Sequence, residues 1–472
     1  MKLYHINLQL SWRPWIPPDK SLPSHLPRLL LADHYHPRFV RRCPVAQAII
    51  PKLQQLDWEQ LPTTLAMQPG GERTVPLAAY IGAYLLKLDQ ALPTFGMLRS
   101  FLRRHPSLVW ALGFPLIPHP HQFDADLCLP SQRHFSRKLS TLPNEILQTL
   151  LDSQVSWLHN RLGSPFGQTV SIDTKHILAW VRENNPKTYI KEGRFNKMQQ
   201  PPGDPDCKLG CKRRHNQVTP TKEGQPATAQ VSIGEYYWGY ASGVVATKVP
   251  AAGEFVLAEL TQTFDCGDST YFLPLMAQVE QRLGFRPRFG TADAAFDAWY
   301  IYDYFHSPDH DGFAAVPLRQ MKQGHRQFAA DGSPLCAAGF PMPLKATFIN
   351  RTSLVQHQRG RYGCPLLFPQ PTEQTCPINH PDWAKGGCKL VMSTAPGARI
   401  RHQLDREGER YQAVYKQRTA VERIFSQAVA LGIERPKLRN QLAITNLNTL
   451  TYVLINLRAM QRILDADNQP KR

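Results

Sequence analysis

The chain has 472 residues, 42% of them hydrophobic, and a formal net charge of +18. Its length exceeds what one hydrophobic core usually organises, so a main domain with an appended or inserted unit is expected, while the charge argues against an enzyme of small neutral substrates and for a polyanionic partner. No apolar run approaches the ~20 residues needed to span a bilayer, and Met1 to Pro18 is broken by His5, Asn7, Gln9 and Arg13, a poor secretory leader.

Nucleic acid suits the charge better than a membrane surface, because Lys and Arg are scattered through segments with a globular apolar pattern and are not gathered on one amphipathic helix. A cytoplasmic protein is expected, in which the 9 Cys are thiols or metal ligands.

Residues 1–160 read as a helical region. Apolar residues recur at three- and four-residue spacing from Ala78 to Leu86 and again from Met97 to Leu102, with Arg99, Arg103 and Arg104 on one edge, either a solvated face or a contact to DNA backbone. The texture changes in 161–330. Val170-Ser171-Ile172-Asp173-Thr174, Tyr236 to Val245, and Phe255 to Ala258 read as three strands. Tyr271 to Leu283 reads as an amphipathic helix stopped by Gly284, Arg288 to Asp293 as a strand leading to a helix at Ala298 to Phe305, and Phe313 to Val316 as a last short strand.

That order predicts an α/β fold, a ribonuclease-H-like mixed sheet with flanking helices. Two insertions interrupt it: a polar, basic loop at 193–228, and a Cys-containing stretch at 331–395. Residues 396–472 return to helix, continuous from Glu409 to Ile433 and again from Asn446 to Leu464, where Leu447, Leu450, Leu454 and Leu457 share one face. These helices are expected to complete the core.

Three acids stand out. Asp173 lies mid-strand and alternates away from Val170 and Ile172; the plainer reading is a satisfied strand acid. Asp293 ends an apolar strand, where open sheets place their ligands; it is equally suited to cap the next helix, and Asp297 is its local substitute. Glu422 follows Tyr415 and Arg418 on one helical stripe beside an apolar stripe of Val414, Val421, Phe425 and Ala428; an ordinary Arg–Glu pair is the bland alternative. Phosphodiester transfer by two divalent ions needs a minimal set of three such carboxylates.

The segment Tyr415 to Glu422 resembles the Tyr-x2-Arg-x3-Glu signature of DDE transposases of bacterial insertion sequences, through the string Gln417-Arg418-Thr419-Ala420-Val421-Glu422-Arg423. Val170 to Thr174 resembles that family's first-Asp strand, and Ala292-Asp293-Ala294-Ala295-Phe296-Asp297 its second-Asp motif. The matches fall in family order, and looser similarity runs from about Tyr80 to the C-terminus. Ala295 stands where Gly is usual, and Val429 where a Lys commonly follows the Glu; Lys437 or Arg439 is the nearest replacement.

The resemblance implies a transposase. It would hold two Mg²⁺ (or Mn²⁺) ions at Asp173, Asp293 and Glu422, position DNA phosphates with Tyr415 and Arg418, and cut and join double-stranded DNA at terminal inverted repeats. A homodimer on DNA and a nucleoid-associated location in a prokaryote follow from that reaction, with no membrane partner. Two alternatives stay open: a ribonuclease-H-like nuclease or resolvase that cuts without joining, and a domesticated, non-catalytic DNA-binding protein.

The basic loop, with Lys212, Arg213 and Arg214 among its cations, follows the first acidic strand and is either a DNA contact or solvated. Cys207, Cys211 and His215 have metal-like spacing but lack a fourth ligand. Cys336, Cys364, Cys376 and Cys388 are candidates for a structural zinc site, although they lack paired C-x2-C spacing, and free structural thiols are the alternative.

Overall fold

Branched, alternating residues from Thr169 onward form strand β1 (Thr169–Leu178), and the rest of the molecule is arranged around it. The computed structural model describes residues 22–23, 25–62, 75–115, 125–185, 194–212, 235–306, 311–319 and 326–468. The fold is mixed α/β.

Strand β1 is central in a six-stranded sheet with β2 (Lys208–Lys212), β3 (Glu235–Val249), β4 (Gly253–Thr263), β5 (Phe289–Thr291) and β6 (Phe313–Ala315). It pairs antiparallel with β3, setting Asp173 opposite Val244, and parallel with β5, setting Ser171 opposite Thr291. Strand β6 runs parallel to β5, and β4 antiparallel to β3.

The segment at 193–228, expected as a long loop or a partly ordered insertion, contains β2, paired along the first residues of β3. A strand forms there because β3 offers unpaired backbone beyond its β1 partner, and Gly210 admits the Phe264 ring, which would lie 2.2 Å from any Cβ.

Among the described residues six helices of seven residues or more precede the sheet: α1 (Pro44–Leu53), α2 (Leu77–Asp89), α3 (Phe95–Arg104), α4 (Pro106–Leu112), α5 (Gln132–Thr141) and α6 (Asn144–Leu162), besides shorter helical turns. Behind the sheet lies α7 (Phe272–Leu283), which Gly284 terminates in the left-handed conformation at φ 74°. After β5 comes α8 (Trp299–Phe305), and after the Cys-containing insertion come α9 (Pro396–Gln403), α10 (Glu409–Tyr415), α11 (Thr419–Ala430) and α12 (Gln441–Asp467).

Alternation assigns these helices to opposite faces. Gly243 faces α7, where a Cβ would meet Tyr271 and Leu275. Its neighbour Ser242 faces α12, through a 2.9 Å hydrogen bond with Tyr452.

Helix α12 is not the amphipathic helix that its leucines predict. From Ala443 to Met460 it is buried almost all round, and its buried polar residues find specific partners. Asn456 accepts from the Val256 N–H and donates to the Val256 carbonyl, both at 2.9 Å, at the bulge in β4. Asn446 donates to the carbonyls of Leu139 and Leu142. Through such contacts one apolar core runs without a break from the N-terminal helices into the sheet.

The stretch expected as an insertion carries its own antiparallel sheet, β7 (Leu344–Asn350), β8 (His357–Tyr362) and β9 (Leu390–Ser393). The chain returns through α9, clamped on α8. The Gly397 N–H donates to Asp303 Oδ1 at 2.9 Å, and a Cβ at Gly397 would lie 2.2 Å from the Trp299 carbonyl oxygen and 2.5 Å from the Asp303 nitrogen. Backbone atoms cannot yield as a side chain can. Gly397→Ala is therefore expected to cost about 2–3 kcal/mol, seen as a lower urea midpoint at unchanged slope; an unchanged midpoint would show that α8 and α9 part freely.

Candidate active site

Asp173 sits mid-β1 on the face covered by the segment linking α10 to α11. Ser171, two residues earlier and on the same face, donates from Oγ to the Gln417 carbonyl at 2.7 Å. That bond pins Lys416–Arg418 against β1 as a turn of 3₁₀ helix, so the helix expected to be continuous from Glu409 to Ile433 is broken there. Arg418 then places Nη1 3.6 Å from Asp173 Oδ2 and hydrogen-bonds Glu422 through Nη2.

Asp293 follows β5 immediately and adopts an extended conformation, its Oδ1 accepting from the Ala295 N–H at 2.8 Å. It therefore caps a 3₁₀ turn, not the helix at Ala298. Because β1 and β5 are parallel neighbours, their acids approach each other despite a separation of 120 residues, the difference between positions 293 and 173.

Their electrostatics record that approach. Burial, and then the charge of Asp293, push the Asp173 carboxyl up to about 7, against a backbone hydrogen bond from Thr174 and the charge of Arg418. Asp293 is also raised, chiefly by burial, and by Asp268, with the Ala295 N–H and Arg418 opposing.

Asp268 is a third acid that the sequence reading passed over. It opens a 3₁₀ turn before α7 and accepts from Thr174 Oγ1 at 2.5 Å. The only local signal was its place in a Cys-Gly-Asp turn, which carries no periodicity.

Glu422 stands apart from the two aspartates. It is exposed, with 47% of its side chain in solvent, and its partner is Arg418. Among the described residues, no three His, Cys, Asp or Glu are set to hold a metal ion. The guanidinium of Arg418 lies between Asp173 and Glu422, with one nitrogen 3.6 Å from Asp173 and another hydrogen-bonded to Glu422.

Tyr415 ends α10 with its ring stacked on Tyr411 at 5.8 Å. Asp297 is no substitute for Asp293: it is buried and engaged by Arg401 at 2.5 Å, by the Arg319 N–H at 2.9 Å and by the Tyr302 hydroxyl at 3.0 Å. Lys212 ends β2 opposite Glu235, nine positions along β3 from the Val244 that faces Asp173, or roughly 30 Å at the usual strand rise. Arg213, Arg214 and His215 lie outside the described residues. Cys207 is buried and its Sγ donates to the Asp204 carbonyl at 3.3 Å, which suits a packed thiol, not a metal ligand.

Beyond the far end of β1, a cleft of about 450 Å³ is lined by Arg182, Arg435 and Arg439, together with Trp180 and Asn184. Lys437 lies over the Trp180 ring at 5.6 Å.

Comparison with known proteins adds little to this geometry. No family profile matches the chain, and no curated protein matches it. Among solved structures it is similar to a piggyBac transposase in a synaptic complex with hairpin DNA, at 9% identity and a TM-score of 0.35, with 98% of this chain and 77% of that one covered. Among the described residues no helix is long and apolar enough to cross a membrane.

Proposed function

We propose that the chain is a DDE transposase, with a ribonuclease-H-like core, that cuts double-stranded DNA at the ends of an insertion sequence and joins them to target DNA. The observation that carries this reading is the meeting of Asp173 and Asp293 at adjacent parallel strands, under a helix that presents Arg418 and Glu422. The strand order β4-β3-β1-β5-β6, three antiparallel strands followed by two parallel to the first, supports the ribonuclease-H-like assignment.

Divalent cations suit the donor set. Carboxylate oxygens are the ligands that Mg²⁺ and Mn²⁺ prefer, and an acid such as Asp173, whose proton affinity is raised by burial and by the charge of Asp293, is relieved by a bound positive charge. Asp173 and Asp293 would hold the ions, with Glu422 joining them when Arg418 turns to a DNA phosphate. When bound, such ions activate the attacking oxygen and stabilise the leaving one.

The chain's own residues do the positioning. The Ser171–Gln417 bond holds Arg418 over β1, and Arg418 offers a phosphate its forked donors. The Thr174 and Ala295 N–H groups fix the aspartate rotamers. The cleft lined by Arg182, Arg435 and Arg439 would offer a basic track for the duplex, with Arg439 standing in for the Lys that Val429 replaces. Two copies of the chain would hold the two ends.

The deciding assay supplies the purified chain with Mg²⁺, DNA carrying the inverted repeats that flank its gene, and a target plasmid. Strand-transfer products that vanish with chelator or with Asp293→Asn are expected. Nicked ends without joining would instead mark a resolvase or nuclease, and metal-independent binding alone a non-catalytic DNA-binding protein.

A further inference from the structure

Residues 331–395 fold with almost no apolar interior. Besides Pro334, their buried apolar side chains are Met342, Cys364 and Leu366, none of them part of either hydrophobic cluster of the protein, although Val355 packs against the larger one. Strand β7 exposes Leu344 and Ile349 by about half. A unit of this size cannot hold its shape on so little burial, and small units of that kind are ordinarily stapled by disulfides or a metal.

No disulfide is present, since all four cysteines of this stretch are free thiols. Yet the four, distant in sequence, converge on one pocket: Cys336, Cys364, Cys376 and Cys388 line it together, with His380 and Trp383 beside them.

The backbone around them repeats. The carbonyls of Cys336, Cys364 and Cys376 each accept from the N–H three residues on, at 2.9, 3.2 and 3.1 Å, so each thiol opens a tight turn. The fourth is reached through Gly386 and Gly387, both with positive φ. A Cβ on Gly387 would lie 2.5 Å from Cys364 Cβ and 2.9 Å from its Sγ, so glycine there is what lets the turn before Cys388 close on Cys364.

We propose that Cys336, Cys364, Cys376 and Cys388 bind one structural Zn²⁺ through four thiolates, stapling the unit that separates β6 from α9. Tetrahedral coordination by four thiolates is a closed structural zinc site. Among the described residues no three His, Cys, Asp or Glu stand close enough together to hold an ion, so binding must draw the four thiols of this pocket inward, as where the ion and the fold it stabilises form jointly. This site shares no residue with the Asp173–Asp293 pair and stands whether or not the chain is a transposase.

Metal analysis of the full chain, expressed with zinc and desalted, tests it. One zinc per chain is expected, and exchange with cobalt should give the intense visible absorption of a tetrahedral thiolate site. Cys364→Ser combined with Cys388→Ser should remove the zinc, whereas Cys211→Ser, on β2, and His380→Ala should leave it in place. Should the double variant fail to fold, mercurial titration of the native chain gives the answer directly, with four thiols blocked per zinc released. A zinc-free chain, zinc retained by the double variant, zinc lost with His380→Ala, or release uncoupled from four thiols would each overturn the site.

Discussion

Asp173→Asn is expected to lower metal-dependent DNA cleavage by roughly 10³-fold or more while making the protein more stable above neutral pH. The second effect follows from the first residue's environment. Its carboxyl is raised from 3.8 to about 7, so between those values the folded chain holds a proton that the unfolded chain has released. Stability from this group is therefore full below about pH 4 and declines as pH rises through 7.

The difference of about 3 units corresponds to at most about 4 kcal/mol. With 21% of the side chain exposed, screening leaves on the order of 2 kcal/mol. Asparagine cannot ionise, so the variant should match the parent near pH 4 and melt higher near pH 8. Glu259, buried between α12 and α6 and also pushed up to about 7, adds a decline of the same sign that Asp173→Asn leaves untouched. Mg²⁺ should raise the melting temperature of the parent more at pH 8 than at pH 6, and that of the variant little at either. A variant that cleaves normally, or whose stability tracks the parent's across the whole range, would remove Asp173 from the proposed chemistry.

How much of this was readable beforehand depends on where the deciding contact lies. The strands β1, β3, β4, β5 and β6 stand where alternation and apolar runs place them, because a half-buried strand writes its pattern into every second residue. Gly284 ends α7 for a reason equally local.

The break at Lys416–Arg418 has no such mark, since Lys, Gln and Arg are all good helix formers. A serine 246 positions away takes the Gln417 carbonyl, a tertiary effect that local propensity cannot record. Strand β2 was hidden because it is five residues long and Leu209 is its one large apolar side chain packed into a core, too little to write an alternating pattern. Asp268 was hidden because turns lack periodicity and its relation to Asp173 arises from Thr174 reaching across to it. The all-round burial of α12 is obscured by Asn446, Asn448 and Asn456, polar residues that are buried because they bond to backbone and side chains of other elements.

Arg418→Ala should lower cleavage at pH 7 by about 10²–10³-fold, and raising the pH to about 8.5 should restore part of the loss. Arg418 lowers the proton affinity of both Asp173 and Asp293; without it, Asp173 holds its proton more tightly, so metal binding must compete with that proton. Alkaline solution removes that proton but not the missing phosphate contact, hence a partial recovery. Arg418→Lys should recover less than its charge implies, because one ammonium cannot span Asp173 and Glu422 as two guanidinium nitrogens do. The pH–rate profile distinguishes this from simple loss of helix stability, which would depress activity equally at every pH. If the profile of Arg418→Ala keeps the parent's midpoint, Arg418 does not govern the ionisation of the aspartates, and the coupling between the helix and β1 proposed for this site is wrong.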